Sequence, residues 1–214
     1  MHEVEESIEA KLKNYYTKSE TSSSSEISTA FEDALSANVV KIGLSALVAA
    51  QSSNVDVRSV AIGKNANASN IAYNNAQAVA IGPNSKAIGE ASIAVGSNAE
   101  ANGVDASSGG LNISIGYRAK AEGKTSIAIG SALGGAASSS PDSYAYTKRT
   151  GSIAIGTNAK AYSQYDTVIG ISAVGADEDK DGNSQTGSVS LGALAIASGS
   201  ASTAVGHSAI ASGI

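Results

Sequence analysis

Read for its apolar positions, the chain from residue 39 onward repeats one short pattern about ten times. The stretch Ser152-Ile153-Ala154-Ile155-Gly156-Thr157-Asn158-Ala159-Lys160-Ala161 states it as S-I-A-I-G-x-N-A-x-A. Copies begin near 39, 59, 78, 92, 112, 126, 152, 166, 188 and 202, and uninterrupted copies stand 14 residues apart. A fixed period over this many copies predicts a solenoid, in which neighbouring units bury one another's apolar surface. Within a unit the large aliphatic residues alternate, as in Ile93 and Val95, Ile127 and Ile129, or Val189 and Leu191. Alternation places them on one side of a strand. Ser, Ala and Gly take the other side, where a neighbouring backbone approaches closely. The Gly in fifth place permits a sharp turn or a positive φ. The N-A-x-A half that follows reads as a second short strand. Each unit is therefore predicted to form one coil of two strands and two turns. Ten coils at about 4.8 Å each would make a rod roughly 50 Å long.

Ahead of the repeats the period changes from two to about four. Val4, Ile8, Leu12 and Tyr15 recur one helical turn apart, with charges between them. Ser23 and Glu26 have capping-box spacing before a second helix over about 24–36, with Ile27, Phe31 and Leu35 on one stripe. Helices this short are marginal alone in water and are expected to dock on partner chains. The chain is expected to divide into a helical attachment and trimerisation segment, 1–38, and a β-roll head with inserted loops, 39–214.

Composition supports a thin structure. The chain has 23 Gly, one Phe, two Pro and neither Cys nor Trp. A chain that buries mainly Ala, Val and Ile must stack its backbones closely instead of gathering around aromatic side chains. The net charge of −5 resides in residues 1–37, which carry three Lys and eight acids, so the repeat region is neutral. Nucleic-acid binding is not expected, because it calls for a basic stripe. The longest nearly apolar run, 42–50, is far short of the roughly 20 residues that span a bilayer. The acidic start Met1-His2-Glu3 lacks the apolar core of an export signal. Neither membrane insertion nor an export leader is expected.

Five intervals between copies are lengthened, at roughly 50–58, 70–77, 102–111, 136–151 and 176–187. Solenoids tend to carry such loops on one face, often the binding face. In the largest, Tyr144 and Tyr146 stand beside Lys148 and Arg149, a combination suited to stacking on sugars or meeting a protein surface. Asp177, Asp179 and Asp181, followed by Gly182, match the first half of a calcium loop. Position twelve, however, is Ser188 where a bidentate Glu is needed. A solvated turn is the expectation there, with those three Asp as a weak calcium candidate. Catalysis and bound cofactors are not expected. The histidines are His2 and His207, and no nucleophile elbow or phosphate-binding glycine loop is present.

Copies such as Ser92-Ile93-Ala94-Val95-Gly96-Ser97-Asn98-Ala99 and Ser152 to Ala159 resemble the YadA-like head repeats of trimeric autotransporter adhesins. The resemblance covers about residues 39–214. It implies a left-handed parallel β-roll with three chains side by side. A threefold assembly would bury the apolar face left outside by an Ala-sized interior. The segment Tyr16-Thr17-Lys18-Ser19-Glu20-Thr21 resembles elements of bacteriophage tail-fibre and appendage proteins. Together with the missing leader, it favours a trimeric phage tail or neck fibre. On that reading the N-terminal helices dock on virion proteins and the loops meet a cell-surface receptor or glycan. The alternative is the head of a bacterial surface adhesin that binds host surface or matrix. Adhesins of that family carry a signal peptide, a stalk and a membrane anchor, whereas this chain closes on Ser212-Gly213-Ile214, within or just after a repeat. A following segment or a capping partner is therefore expected.

Overall fold

The computed structural model describes residues 40–50, 59–70, 77–89, 91–103, 110–132, 143–176 and 187–212. The chain divides into two units, Met1–Ser36 and Ala37–Ile214, and the described residues belong to the second. The expected helices, with Val4, Ile8, Leu12, Ile27, Phe31 and Leu35, lie outside the described residues. So do Asp177, Asp179 and Asp181.

The repeats form ten stacked coils. Their first strands are Val40–Ile42, Val60–Ile62, Val79–Ile81, Ile93–Val95, Ile113–Ile115, Ile127–Ile129, Ile153–Ile155, Thr167–Ile169, Val189–Leu191 and Thr203–Val205. These pair in chain order into one parallel sheet of ten strands. The second strands of coils one to seven are Leu47–Ala50, Asn67–Asn70, Lys86–Ile88, Glu100–Asn102, Lys120–Ala121, Tyr146–Thr147 and Lys160–Ala161, and they form a second parallel sheet. Bridges through Val174 continue it to the pair Ile196–Ala197 and Ile210–Ala211. Each residue pairs with its counterpart in the next coil, as in Ile127, Ile153 and Thr167. Among the described residues the architecture is an all-β roll of parallel strands.

From the second coil on, the middle residue of each first strand is buried inside the roll, whereas Lys41, at that position in the first coil, is exposed. Among the described residues every buried apolar side chain is Ala except Val168. Ser114 and Ser190 occupy the same inward position and donate to the carbonyls of Ala119 and Ala195, at 2.6 and 2.8 Å. These bonds satisfy hydroxyls that burial would otherwise leave unpaired. An interior one methyl deep on each side buries little apolar area per coil. The backbone ladders and the stacking of the outward aliphatics therefore carry much of the cohesion.

Two corners close each coil. At the first, the Gly adopts φ of 123–148° and a following residue such as Asn65, Asn98 or Asn158 adopts φ of 57–59°. The Gly N–H donates to the coil before, as from Gly63 to Ile42 at 2.7 Å. Positive φ explains only part of the glycine requirement. A Cβ on Gly63 would stand 2.6 Å from the Gly82 carbonyl of the next coil. At the second corner a Ser closes the turn: Ser126 and Ser152, both buried, and the half-buried Ser202 donate to carbonyls three residues earlier, at 2.6–2.7 Å. Asp166 takes that place in coil eight. It accepts from the Ser163 N–H at 2.9 Å and from the Ser188 N–H and hydroxyl at 3.0 and 2.7 Å. Burial nevertheless raises its carboxyl above the ordinary value, against the pull of these donors.

Two expectations about the insertions are corrected. The intervals 51–58, 71–76, 104–109 and 177–186 open at the second corner, but 133–142 opens at the first, between the two strands of coil six. The inserted residues are therefore not confined to one corner. Residues 143–151, read as loop, belong to the roll. Ala145 and Thr147 point inward and are fully buried, and Tyr146–Thr147 pairs with Lys120–Ala121 and Lys160–Ala161. Bulky Tyr at positions where other copies have Asn, Lys or Glu disguised this strand.

Candidate functional site

The two outer surfaces of the roll differ in chemistry. Outward positions of the first sheet form two continuous rows of Val, Ile and Leu, interrupted only by Thr167 and Thr203. Interior rungs keep these side chains about half-buried through stacking, whereas Ile42 and Val205 on the end coils are 57 % and 65 % exposed. The second sheet presents a mixed row. Register places Leu47, Asn67, Lys86, Glu100, Lys120, Tyr146 and Lys160 in line, followed by Val174, Ile196 and Ile210. The row is polar through coils two to seven and apolar over the last three.

The polar part forms one connected cluster. Lys120 Nζ lies 2.5 Å from Glu122 and 3.8 Å from Glu100. The Tyr146 hydroxyl donates to the other Glu122 oxygen. Burial disfavours the Lys120 ammonium, but the hydrogen bond and charge of Glu122, with the charge of Glu100, outweigh it and raise its pKa. Burial likewise opposes the Glu122 carboxylate, yet hydrogen bonds from Lys120 and Tyr146 and the charges of Lys120 and Lys148 bring its pKa down. Burial first, then the bond to Glu122, pushes the Tyr146 phenol far up, so it stays a donor. Lys160, only 6 % exposed, sets its ammonium 4.3 Å from the Tyr144 ring centre and 5.6 Å from that of Tyr146. Tyr146 packs edge-on against both Tyr144 and Tyr162 at 5.9 Å.

Beside this cluster, across coils three to six, lies a cleft of about 720 Å³. Asn84, Asn98 and Arg118 enter it from successive first corners, and Lys86, Glu100 and Lys120 from the outward row. Tyr117 and Tyr144 complete its wall.

Of the four residues singled out in sequence, Tyr144, Tyr146 and Lys148 gather around Glu122, and Arg149 stands apart. Tyr144 lines the cleft. Tyr146 is held by Glu122 and its ring neighbours. Lys148 faces Glu122 from the next coil. Arg149 falls in the second-corner turn, where its carbonyl accepts from Ser152 and fills the space of any side chain on Gly123. Lys86, Glu100, Lys120, Glu122, Lys160 and the corner pair Tyr117 and Arg118 escaped the sequence reading. Setting the x positions of successive N-A-x-A halves side by side would have revealed the row. His207 sits exposed in the last first-corner turn, 3.1 Å from the Ser208 hydroxyl. Among the described residues no group of His, Asp and Glu is arranged to hold a metal.

A parallel roll with an alanine interior, one apolar flank and one polar flank defines a repeat scaffold that presents surfaces. The family model for the YadA head domain repeat matches residues 57–72, 74–99, 87–110, 113–132, 150–173, 184–209 and 197–214. These stretches cover more than half of the chain, and it belongs to that family, whose members are head domains of bacterial surface adhesins and not enzymes. No curated protein matches the chain. The match supports the adhesin alternative and lends nothing to the phage-appendage reading, whose sequence element, Tyr16 to Thr21, lies outside the described residues.

Proposed function

We propose that the chain is the head of a bacterial cell-surface adhesin. Three copies associate through the apolar rows of the first sheet, leaving the polar flank of the second sheet toward the surroundings. The observation that carries this reading is the family match over the same coils whose outer rows are so unequal. Two aliphatic rows along ten coils, broken only at Thr167 and Thr203, form a long apolar stripe of the kind that marks an association surface. A threefold arrangement of identical rolls would cover it. The segment 1–38, through Val4, Ile8, Leu12, Ile27, Phe31 and Leu35, is assigned to attachment and trimerisation.

The reading is tested by coating beads with the purified chain and measuring retention on immobilised host extracellular matrix and on cultured cells. Saturable retention, competed by soluble chain, is expected. Beads that adhere no better than albumin-coated ones on every surface would sink the adhesive role.

A further inference from the structure

We propose that the cleft across coils three to six binds an acidic saccharide, through its carboxylate or sulfate groups. The proposal rests on the adhesive reading and names the ligand class for one site within it.

The cleft is a local departure from a neutral repeat region. Three cations, Lys86, Arg118 and Lys120, face a single lining carboxylate, Glu100. Lys120 is committed to Glu122 and Glu100. Among the described residues neither Lys86 nor Arg118 has a carboxylate partner, so these two are the cations open to an incoming anion. The guanidinium grips carboxylate or sulfate in a two-pronged geometry, and the ammonium adds a point charge.

The remaining lining suits the rest of a sugar. Asn84 and Asn98 bring carboxamides that can bond hydroxyls, and Asn84 is steadied by a 3.0 Å bond from Asn65. Tyr117 offers a ring face for the C–H side of a pyranose, and Tyr144, one face of which is covered by the Lys160 ammonium, bounds the cleft beside it. Equivalent corners carry Lys64, Pro83, Ser97 and Thr157 at the place of Tyr117. The ring is therefore a feature of this coil and not of the repeat. A volume of about 720 Å³ falls within the range of roughly 300–1,000 Å³ usual for small-ligand sites.

The geometry disfavours a peptide. Strands around the cleft are paired on both sides, so no free edge exists there for an added strand. No aliphatic or Phe side chain lines the cleft to anchor one.

The test uses the full chain and isothermal calorimetry at about 0.1 M salt, where surface charges still act over roughly 10 Å. Four probes are compared: hyaluronan tetrasaccharide, heparin-derived tetrasaccharide, cellotetraose and tetraglutamate. Saturable binding of either anionic saccharide is expected, and the pair tells carboxylate from sulfate preference. Lys86→Asn and Arg118→Asn should each weaken it about tenfold, the usual effect of one lost charge-assisted bond. Both variants install the residue found at matching positions in sister coils, Asn67 for one and Asn65 for the other, and unchanged melting curves confirm folding. Equal affinity for cellotetraose, equal affinity for tetraglutamate, absence of saccharide binding, or binding indifferent to both substitutions would each overturn the site. Beads that still adhere while the saccharides fail would remove this proposal and leave the adhesive head standing.

Discussion

Glycine at the first corner answers to two demands, and they can be separated experimentally. Gly63 and Gly206 have nearly the same φ, 130° and 127°. A methyl on Gly63 would meet the Gly82 backbone at 2.6 Å, whereas one on Gly206, in the last coil, meets only Ala209 Cβ at 3.9 Å. Gly206→Ala should bear only the backbone strain, about 1–3 kcal/mol. Gly63→Ala should cost about 1–3 kcal/mol more, because the stacked coil must move. Urea unfolding of both variants checks this, and equal losses would mean that φ alone demands the glycine. The turn glycine was legible from its spacing. The second demand was not, because it depends on how closely one coil sits on the next. Asp166 was hidden in the same way: a carboxylate where sister copies have Ser reads as surface variation until three donors are found converging on it.

Along the second sheet, in-line pairing turns isolated letters into neighbours. Lys120, Glu122 and Tyr146 lie up to 26 positions apart in the chain yet form one hydrogen-bonded group. Since the folded-state pKa of Glu122 lies below its ordinary 4.5, its contribution is complete above that value and lost as pH falls through the folded one. Glu122→Gln should therefore cost about 1 kcal/mol or less at pH 7, both partners being partly exposed, and the cost should shrink below pH 4.5. Thermal melts at pH 7 and pH 3.5 provide the comparison, and a cost that grows on acidification would contradict the assignment. The other second-strand rungs were readable by their fixed offset from the corner glycine. The Tyr146 rung was not, since its copy replaces Asn with Tyr144 and the Ser131-to-Ser143 interval separates it from its own first strand. The candidate quartet of Tyr144, Tyr146, Lys148 and Arg149 was thus drawn around a loop that is partly a strand. Sequence proximity grouped three residues that do meet around Glu122 with Arg149, which the coil sends to its second corner.

For the whole roll, the inequality of its two flanks predicts how copies meet. Ile155→Asp, at the middle of the apolar rows, should convert the assembly to monomer in sedimentation velocity while its circular dichroism remains that of a β protein. Lys86→Glu, on the polar flank, should leave the assembly intact. A wild-type chain sedimenting as monomer would end the trimer proposal. Coil number and fold class were legible because a 14-residue period repeats too often to be accidental. The identity of the exposed flank was legible only in part: alternation shows that one side is apolar, and stacking decides which surface stays half-open. The in-register ladder has a further consequence for inheritance. Excising residues 152–165 would bring Thr167–Ile169 onto Ile127–Ile129 with inward and outward positions still matched. The gene can thus lose or duplicate 42-nucleotide blocks without refolding the remainder, each changing reach by about 4.8 Å. Length in such a head is a heritable variable, open to adjustment by recombination between its own repeats.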